Sequence, residues 1–111
     1  MKRLVDYVKA IEGAASPCEI VTSDFQSETK HDQTGSTIEI TKRVHHFKDG
    51  VSIEYEREYD DGGSYPGCKE FWYTYRVVHT HGFEFEGEIT KLFQSHSEVD
   101  KWLKLDNSSD S

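Results

Sequence analysis

No run of apolar residues in this chain approaches the roughly 20 needed to span a bilayer, and none of its short motifs carries a catalytic signature. Cys-x-x-Cys and His-x-x-x-His frameworks are missing too, which removes the commonest local route to a metal site. Positive charge is scarce. With 13 basic against 21 acidic residues the formal net charge is −8, which disfavours nonspecific attraction to nucleic acid or to an anionic membrane. A protein partner with a basic surface is the electrostatic complement. Only two cysteines occur, Cys18 and Cys68, enough for one bridge or two thiols. Asp6, Lys9 and Glu12 interrupt what would be the apolar core of an export signal behind Met-Lys-Arg. Reduced thiols and a cytoplasmic location are therefore expected.

Hydrophobic residues make up only 34% of the 111, yet six Phe, six Tyr and two Trp are among them. Few positions can then bury a large area, so the core is expected to be aromatic. The length suits a single domain. We assign it to 1–106 and leave 107–111 as a polar tail.

The organising stretch is Val51 to Tyr59, V-S-I-E-Y-E-R-E-Y. Its alternation puts Val51, Ile53, Tyr55 and Tyr59 on one side of a strand and Ser52, Glu54, Glu56 and Glu58 on the other. Phe83 to Ile89 repeats the device, with Phe83, Phe85 and Ile89 against Glu84, Glu86 and Glu88. The pattern predicts a sheet with an apolar face and a face carrying rows of glutamate about 6.6–6.8 Å apart.

Leu4, Val8 and Ile11 recur at helical spacing before Gly13 and Pro17, predicting an amphipathic first helix over residues 2–12. Cys18 to Phe25 reads as a short strand. Gln26 to Ser36 contains no apolar residue and is rich in turn formers, so it reads as an exposed loop. Thr37 to Phe47 has Ile38, Ile40 and Val44 at period two, and Asp49-Gly50 suits a two-residue type I′ turn. That turn sets Val44 opposite Tyr55 and Ile40 opposite Tyr59 on the apolar side, and Arg43 and His45 opposite Glu56 and Glu54. It also forces Lys42 against Arg57.

Asp60 to Lys69 is turn-rich and lacks the Gly-Lys-Ser/Thr ending of a phosphate loop. Glu70 to Thr80 is the most β-prone segment. A three-residue turn at Thr80-His81-Gly82 pairs Tyr73 with Ile89, Val77 with Phe85 and Arg76 with Glu86, leaving Trp72 among the glutamates. Ser95 and Glu98 match a capping box, ahead of the apolar stripe Val99, Trp102 and Leu103. The fold class expected is α+β: an antiparallel meander of four or five strands, with an N-terminal and a C-terminal helix packed on one face.

The glutamate face is the first candidate site, with Glu54, Glu56, Glu58, Glu84, Glu86 and Glu88 as the charges and Trp72 and Arg76 as anchors. It predicts a small acidic domain, an inhibitor or adaptor, that docks on a basic protein. A second reading is a small-ligand module in which Tyr55, Tyr59, Tyr73 and Tyr75 line a pocket between sheet and helices and Lys42 and Arg57 hold an anion. The turns gather His45, His46, His79 and His81 at one end of the sheet, where His46, His79 and His81 are weak metal candidates. No cofactor and no enzymatic activity are expected. Exposed edge strands also allow a homodimer by sheet extension.

Overall fold

In the computed structural model the described residues are 2–31, 33, 35–62 and 70–109, with 106–109 described by backbone alone. They form helix α1 (Leu4–Ile11), strands β1 (Ile20–His31), β2 (Thr37–Phe47), β3 (Ser52–Asp60), β4 (Glu70–His79) and β5 (Thr90–Phe93), and helix α2 (His96–Ser109). The five strands make one antiparallel sheet in sequence order. The α+β meander with a helix at each end is thus the architecture that the alternation and helical spacing predict.

Helix α1 turns Leu4, Val5, Tyr7 and Val8 onto the sheet, where they meet Phe47, Val51, Ile53, Tyr75 and Phe93, and Val99 and Leu103 of α2 close the cluster. All the sheet residues in it lie on one face, so both helices cover that face. Each large apolar side chain buried there contributes about 1.5–3 kcal/mol. Tyr7 and Tyr75 are fully buried and both hydroxyls are satisfied: Tyr7 donates to Asp49 at 2.6 Å and Tyr75 donates to Glu12. At the start of α2 the Glu98 N–H donates to Ser95 Oγ at 3.3 Å, and the Glu98 carboxylate accepts from the Gln94 N–H at 3.1 Å. The helix then runs past Leu105 to Ser109, into the segment expected to be a tail.

The register differs from the one the turns predict. Between β2 and β3 the loop has three residues, Lys48-Asp49-Gly50, because the Phe47 N–H donates to the Val51 carbonyl. Asp49 caps this turn by accepting from the Val51 N–H at 2.9 Å. The extra residue moves every β2 side chain to the other face. Arg43 now pairs with Tyr55 and His45 with Ile53, while Ile40 faces Glu58, Lys42 faces Glu56 and Val44 faces Glu54. What the longer loop gains is Phe47, which is buried beside Val51. It also dissolves the awkward Lys42–Arg57 pair.

Two further expectations are corrected. Gln26 to His31 continues strand β1, paired with β2 as far as His31↔Thr37, instead of forming a loop. Its lack of apolar residues reflects an edge strand exposed along this length on both faces. Phe83 to Ile89 is not a strand of the sheet. Phe85 packs on Tyr7, with ring centroids 5.8 Å apart, and Lys2 pairs with this segment through Glu84 and Glu86 backbone groups. The place beside β4 goes to Thr90–Phe93, with Tyr73 opposite Phe93 and Arg76 opposite Thr90, which buries Phe93 against Tyr75 and Trp102. Residues 63–69, including Cys68 and most of the turn-rich connection, lie outside the described residues.

Candidate functional site

Opposite the helices the sheet presents a second face on which, among the described residues, no helix packs. Side-chain alternation and strand register assemble it from Asp24, Gln26, Glu28 and Lys30 of β1, Ile38, Ile40, Lys42, Val44 and His46 of β2, Ser52 to Asp60 in steps of two on β3, and Glu70, Trp72, Thr74 and Arg76 of β4. Glu54, Glu56, Glu58, Trp72 and Arg76 stand here together, as predicted. Glu84, Glu86 and Glu88 do not. They lie exposed on the segment that runs past Lys2 toward Lys91, so the second glutamate row is not part of this face.

The row on β3 is less solvated than a plain surface row. Glu54 pairs with Arg76 at 3.2 Å and Glu56 with Lys42 at 3.5 Å, and the two carboxylate side chains are only 16% and 23% exposed. Lys42 is accordingly on the opposite side of the sheet from Tyr55 and Arg57, and cannot hold an anion with them. Toward the β1–β2 turn the face changes character. Ile40, Glu58 and Trp72 lie side by side across three strands, with Ile38, Asp60 and Glu70 in the next row and Glu28 beside Ile40. Ile38, Ile40, Glu58 and Trp72 are half-buried. Apolar side chains result with carboxylates around them and with Lys30, beside Ile38 and 3.8 Å from Glu28, at the β1 edge. Alternation alone places the acids and Trp72 here, whereas a two-residue turn would put Ile38 and Ile40 on the other face, and the three-residue turn brings them to this one.

At the other end of the same face Asp24, His46 and Ser52 form a relay across three strands. The His46 Nε2–H donates to Asp24 at 2.9 Å, which leaves Nδ1 to accept from the Ser52 hydroxyl at 2.9 Å. Serine, imidazole and carboxylate in line are the components of a hydrolytic triad, but Ser52 is 7% exposed and its hydroxyl has little access to a substrate. The relay cross-links β1, β2 and β3. No sequence spacing signals it, since register alone brings the three residues together.

His45 lies on the helix side, buried, with Nδ1 2.7 Å from Ser23 Oγ. The predicted histidine group is therefore split between the two faces. His79 and His81 stay near each other, with ring centroids 6.0 Å apart, and the described residues contain no group of three His, Cys, Asp or Glu placed as metal ligands.

Beyond the helices the covered face continues as an open run of rings. Tyr59 and Phe71 are 4.6 Å apart, Phe71 stacks on Tyr73, and the Arg57 guanidinium lies over Phe71. Tyr55 packs on Tyr75. Burial and the hydrogen bond to Glu12 push the Tyr75 hydroxyl far above the usual phenol range, so it stays a neutral donor committed to Glu12. The Glu12 carboxylate also lies 3.0 Å from His96.

One further concavity, of about 550 Å³, opens between the start of α1 and the β2–β3 turn. Its charges satisfy one another, Lys2 with Asp49, Arg3 with Asp6 and Lys48 with Glu19. Burial raises the Cys18 thiol in its wall above the ordinary value, against a lowering hydrogen bond from Ser16. A raised thiol is a poor nucleophile at neutral pH.

No helix among the described residues is long and apolar enough to cross a membrane. No protein-family model, no curated protein and no solved structure matches this chain.

Proposed function

We propose that this chain is a small protein-binding domain, an adaptor or inhibitor, that docks the helix-free face of its sheet on a basic partner. The observation that carries the reading is the row Ile40–Glu58–Trp72 with Ile38, Asp60, Glu70 and Glu28 around it. Interface centres combine a desolvated aromatic or aliphatic anchor with a polar rim. A carboxylate rim steers a cationic partner toward the anchor and excludes acidic competitors. Lys42 and Arg76 are engaged by Glu56 and Glu54, and Lys30, beside Ile38, by Glu28, so the net negative field of the rim comes from Glu58, Asp60 and Glu70.

The test is capture from host lysate at low salt, followed by a titration with the purified captured protein. Wild type is compared with Trp72→Ala, with Glu58→Gln plus Glu70→Gln, and with Arg57→Ala on the opposite face. Trp72→Ala is expected to weaken binding by about 2 kcal/mol. The double glutamine variant should slow association and flatten the salt dependence, and Arg57→Ala should bind as wild type. Equal binding by wild type and Trp72→Ala, with both folded, would sink the proposal.

A further inference from the structure

We infer that the chain forms a two-fold dimer by antiparallel pairing of β1 with β1 of a second copy, joining the two sheets edge to edge about Ser27. Strand β1 is the first strand of the sheet order, with its outer side unpaired among the described residues. From Val21 to His31 every residue of it is exposed, Val21 at 64% and Phe25 at 60%. A long exposed edge is a ready template for another strand, and proteins that stay monomeric blunt it with proline, cover or shortness. Among the described residues proline and cover are absent from β1, its bulge is confined to the Ile20–Thr22 end, and its charges, Asp24, Glu28 and Lys30, are of both signs and so can complement a second copy. The opposite edge is different, since β5 has only four residues.

Charge selects the occupant and the register. Two copies related by a two-fold axis pair residues of the same parity, so their helices fall on the same side of the joined sheet. With the axis at Ser27, Asp24 faces Lys30 of the second copy and Lys30 faces Asp24 of the second copy, while Gln26 meets Glu28 and Phe25 lies against Thr29. Within one copy Asp24 accepts from His46 and Lys30 lies 3.8 Å from Glu28, so each cross-strand pair adds a second partner to these charges and is favourable. Moving the axis to Gln26 sets Asp24 against Glu28, and moving it to Glu28 sets that residue against itself. An axis at Phe25 forfeits both ion pairs. An axis at Thr29 also makes two ion pairs, Glu28 with Lys30, but it pairs only Ser27 to His31 and leaves Phe25 uncovered, so the Ser27 register is the one that uses charge along the longer stretch, Ser23 to His31. The second copy docks on the edge that borders the face proposed to bind a partner and shares Glu28 with it; Trp72 tests the face alone and Ser27 the edge alone, so the two readings fail independently.

Sedimentation equilibrium over a wide concentration range tests the dimer, with circular dichroism confirming the fold of each variant. Asp24→Lys and Lys30→Asp are each expected to weaken self-association by about tenfold or more. The double swap Asp24→Lys/Lys30→Asp restores it, because the pair is re-formed with signs reversed. Ser27→Cys, with Cys18 and Cys68 replaced by Ser, should oxidise to a covalent dimer, since directly opposed Cα atoms about 4.5–5.5 Å apart suit a disulfide. Ser23→Cys should not, its two copies being separated by about 26 Å along the paired strands. A monomer at every concentration overturns the inference. So does a dimer indifferent to both single swaps, or one that cross-links through residue 23 and not through residue 27.

Discussion

His45 shows at the scale of one residue how a local choice becomes a property of the whole. Its Nδ1 is paired with Ser23, but Nε2 is buried without a hydrogen-bond partner. Burial, more than the neighbouring Arg43 and His46 charges, holds the imidazole below its ordinary value of 6.5, and Glu12 at the end of α1 pulls the other way. Ile53 faces it from β3. The unfolded chain then binds more protons than the folded one just below that value, so stability rises with pH through this window and is lost as pH falls below about 6.5. Urea unfolding at pH 7 and at pH 5 should show the midpoint dropping in wild type and dropping less in His45→Phe. Parallel losses would show that His45 is not the group. Two adjacent histidines must lie on opposite faces of a strand, and that much is legible in His45-His46. Which of them turns inward is not, because it depends on the count of residues in a turn that lies beyond them.

Turns are where elements are registered, and here one glycine fixes the count. Gly50 has φ +95°, and a Cβ built on it would lie 2.6 Å from the His81 ring. The same residue thus closes the β2–β3 loop and lets the β4–β5 connection pack across it. Gly50→Ala is expected to cost about 2 kcal/mol, combining left-handed backbone strain with overpacking. Gly87→Ala is the control. Gly87 has φ +80° but nothing within 4 Å of the added carbon, so its loss should stay near 1 kcal/mol. Guanidinium chloride denaturation of the two variants measures the difference, and equal losses would remove the His81 contact from the account. The strands β2, β3 and β4 and both helices are legible in their periodicity, because a half-buried element must alternate or repeat. Strand β1 is only half legible. An edge strand with both faces in water needs no apolar residue, and Gln26 to His31 has none. The F-E-F-E pattern misleads for the opposite reason: Phe83 and Phe85 are wanted by Lys2 and Tyr7, so their alternation serves the helix and not the sheet.

For the whole molecule the decisive fact is that the core sits at one end. The sheet measures out a body of 46 × 30 × 22 Å, and the buried cluster gathers around Phe47, Val51, Ile53 and Tyr75, at the end marked by the β2–β3 turn. The strands continue from there as sheet alone, carrying the proposed binding row and the proposed dimer edge. Amide exchange should follow this division. Ile53 and Tyr75 are expected to open only with global unfolding, whereas Glu28 to His31 and Thr37 to Ile40 should exchange at least about tenfold faster. Uniform protection along β2 would contradict it. Fold class was legible at this scale because composition and element order limit it. The site was legible in part: Glu54, Glu56, Glu58 and Trp72 follow from alternation, while Ile38, Ile40, Asp60 and Glu70 join them only through register.

The bond between Lys2 and the Glu84–Glu86 segment joins the residues just ahead of α1 to residues more than eighty positions further along the chain. Of the other partners of α1, Phe47, Val51, Ile53 and Tyr75 lie nearer in the chain, while Phe93, Val99 and Leu103 come later still. On the ribosome α1 therefore emerges ahead of the surfaces it rests on. The β1–β2–β3 hairpins can zip as they appear, since their contacts are between neighbours, and Phe47, Val51 and Ile53 then give the oily stripe of α1 a first surface, but the cluster closes only when Val99 and Leu103 of α2 arrive. Until then the helix rests on an unfinished core.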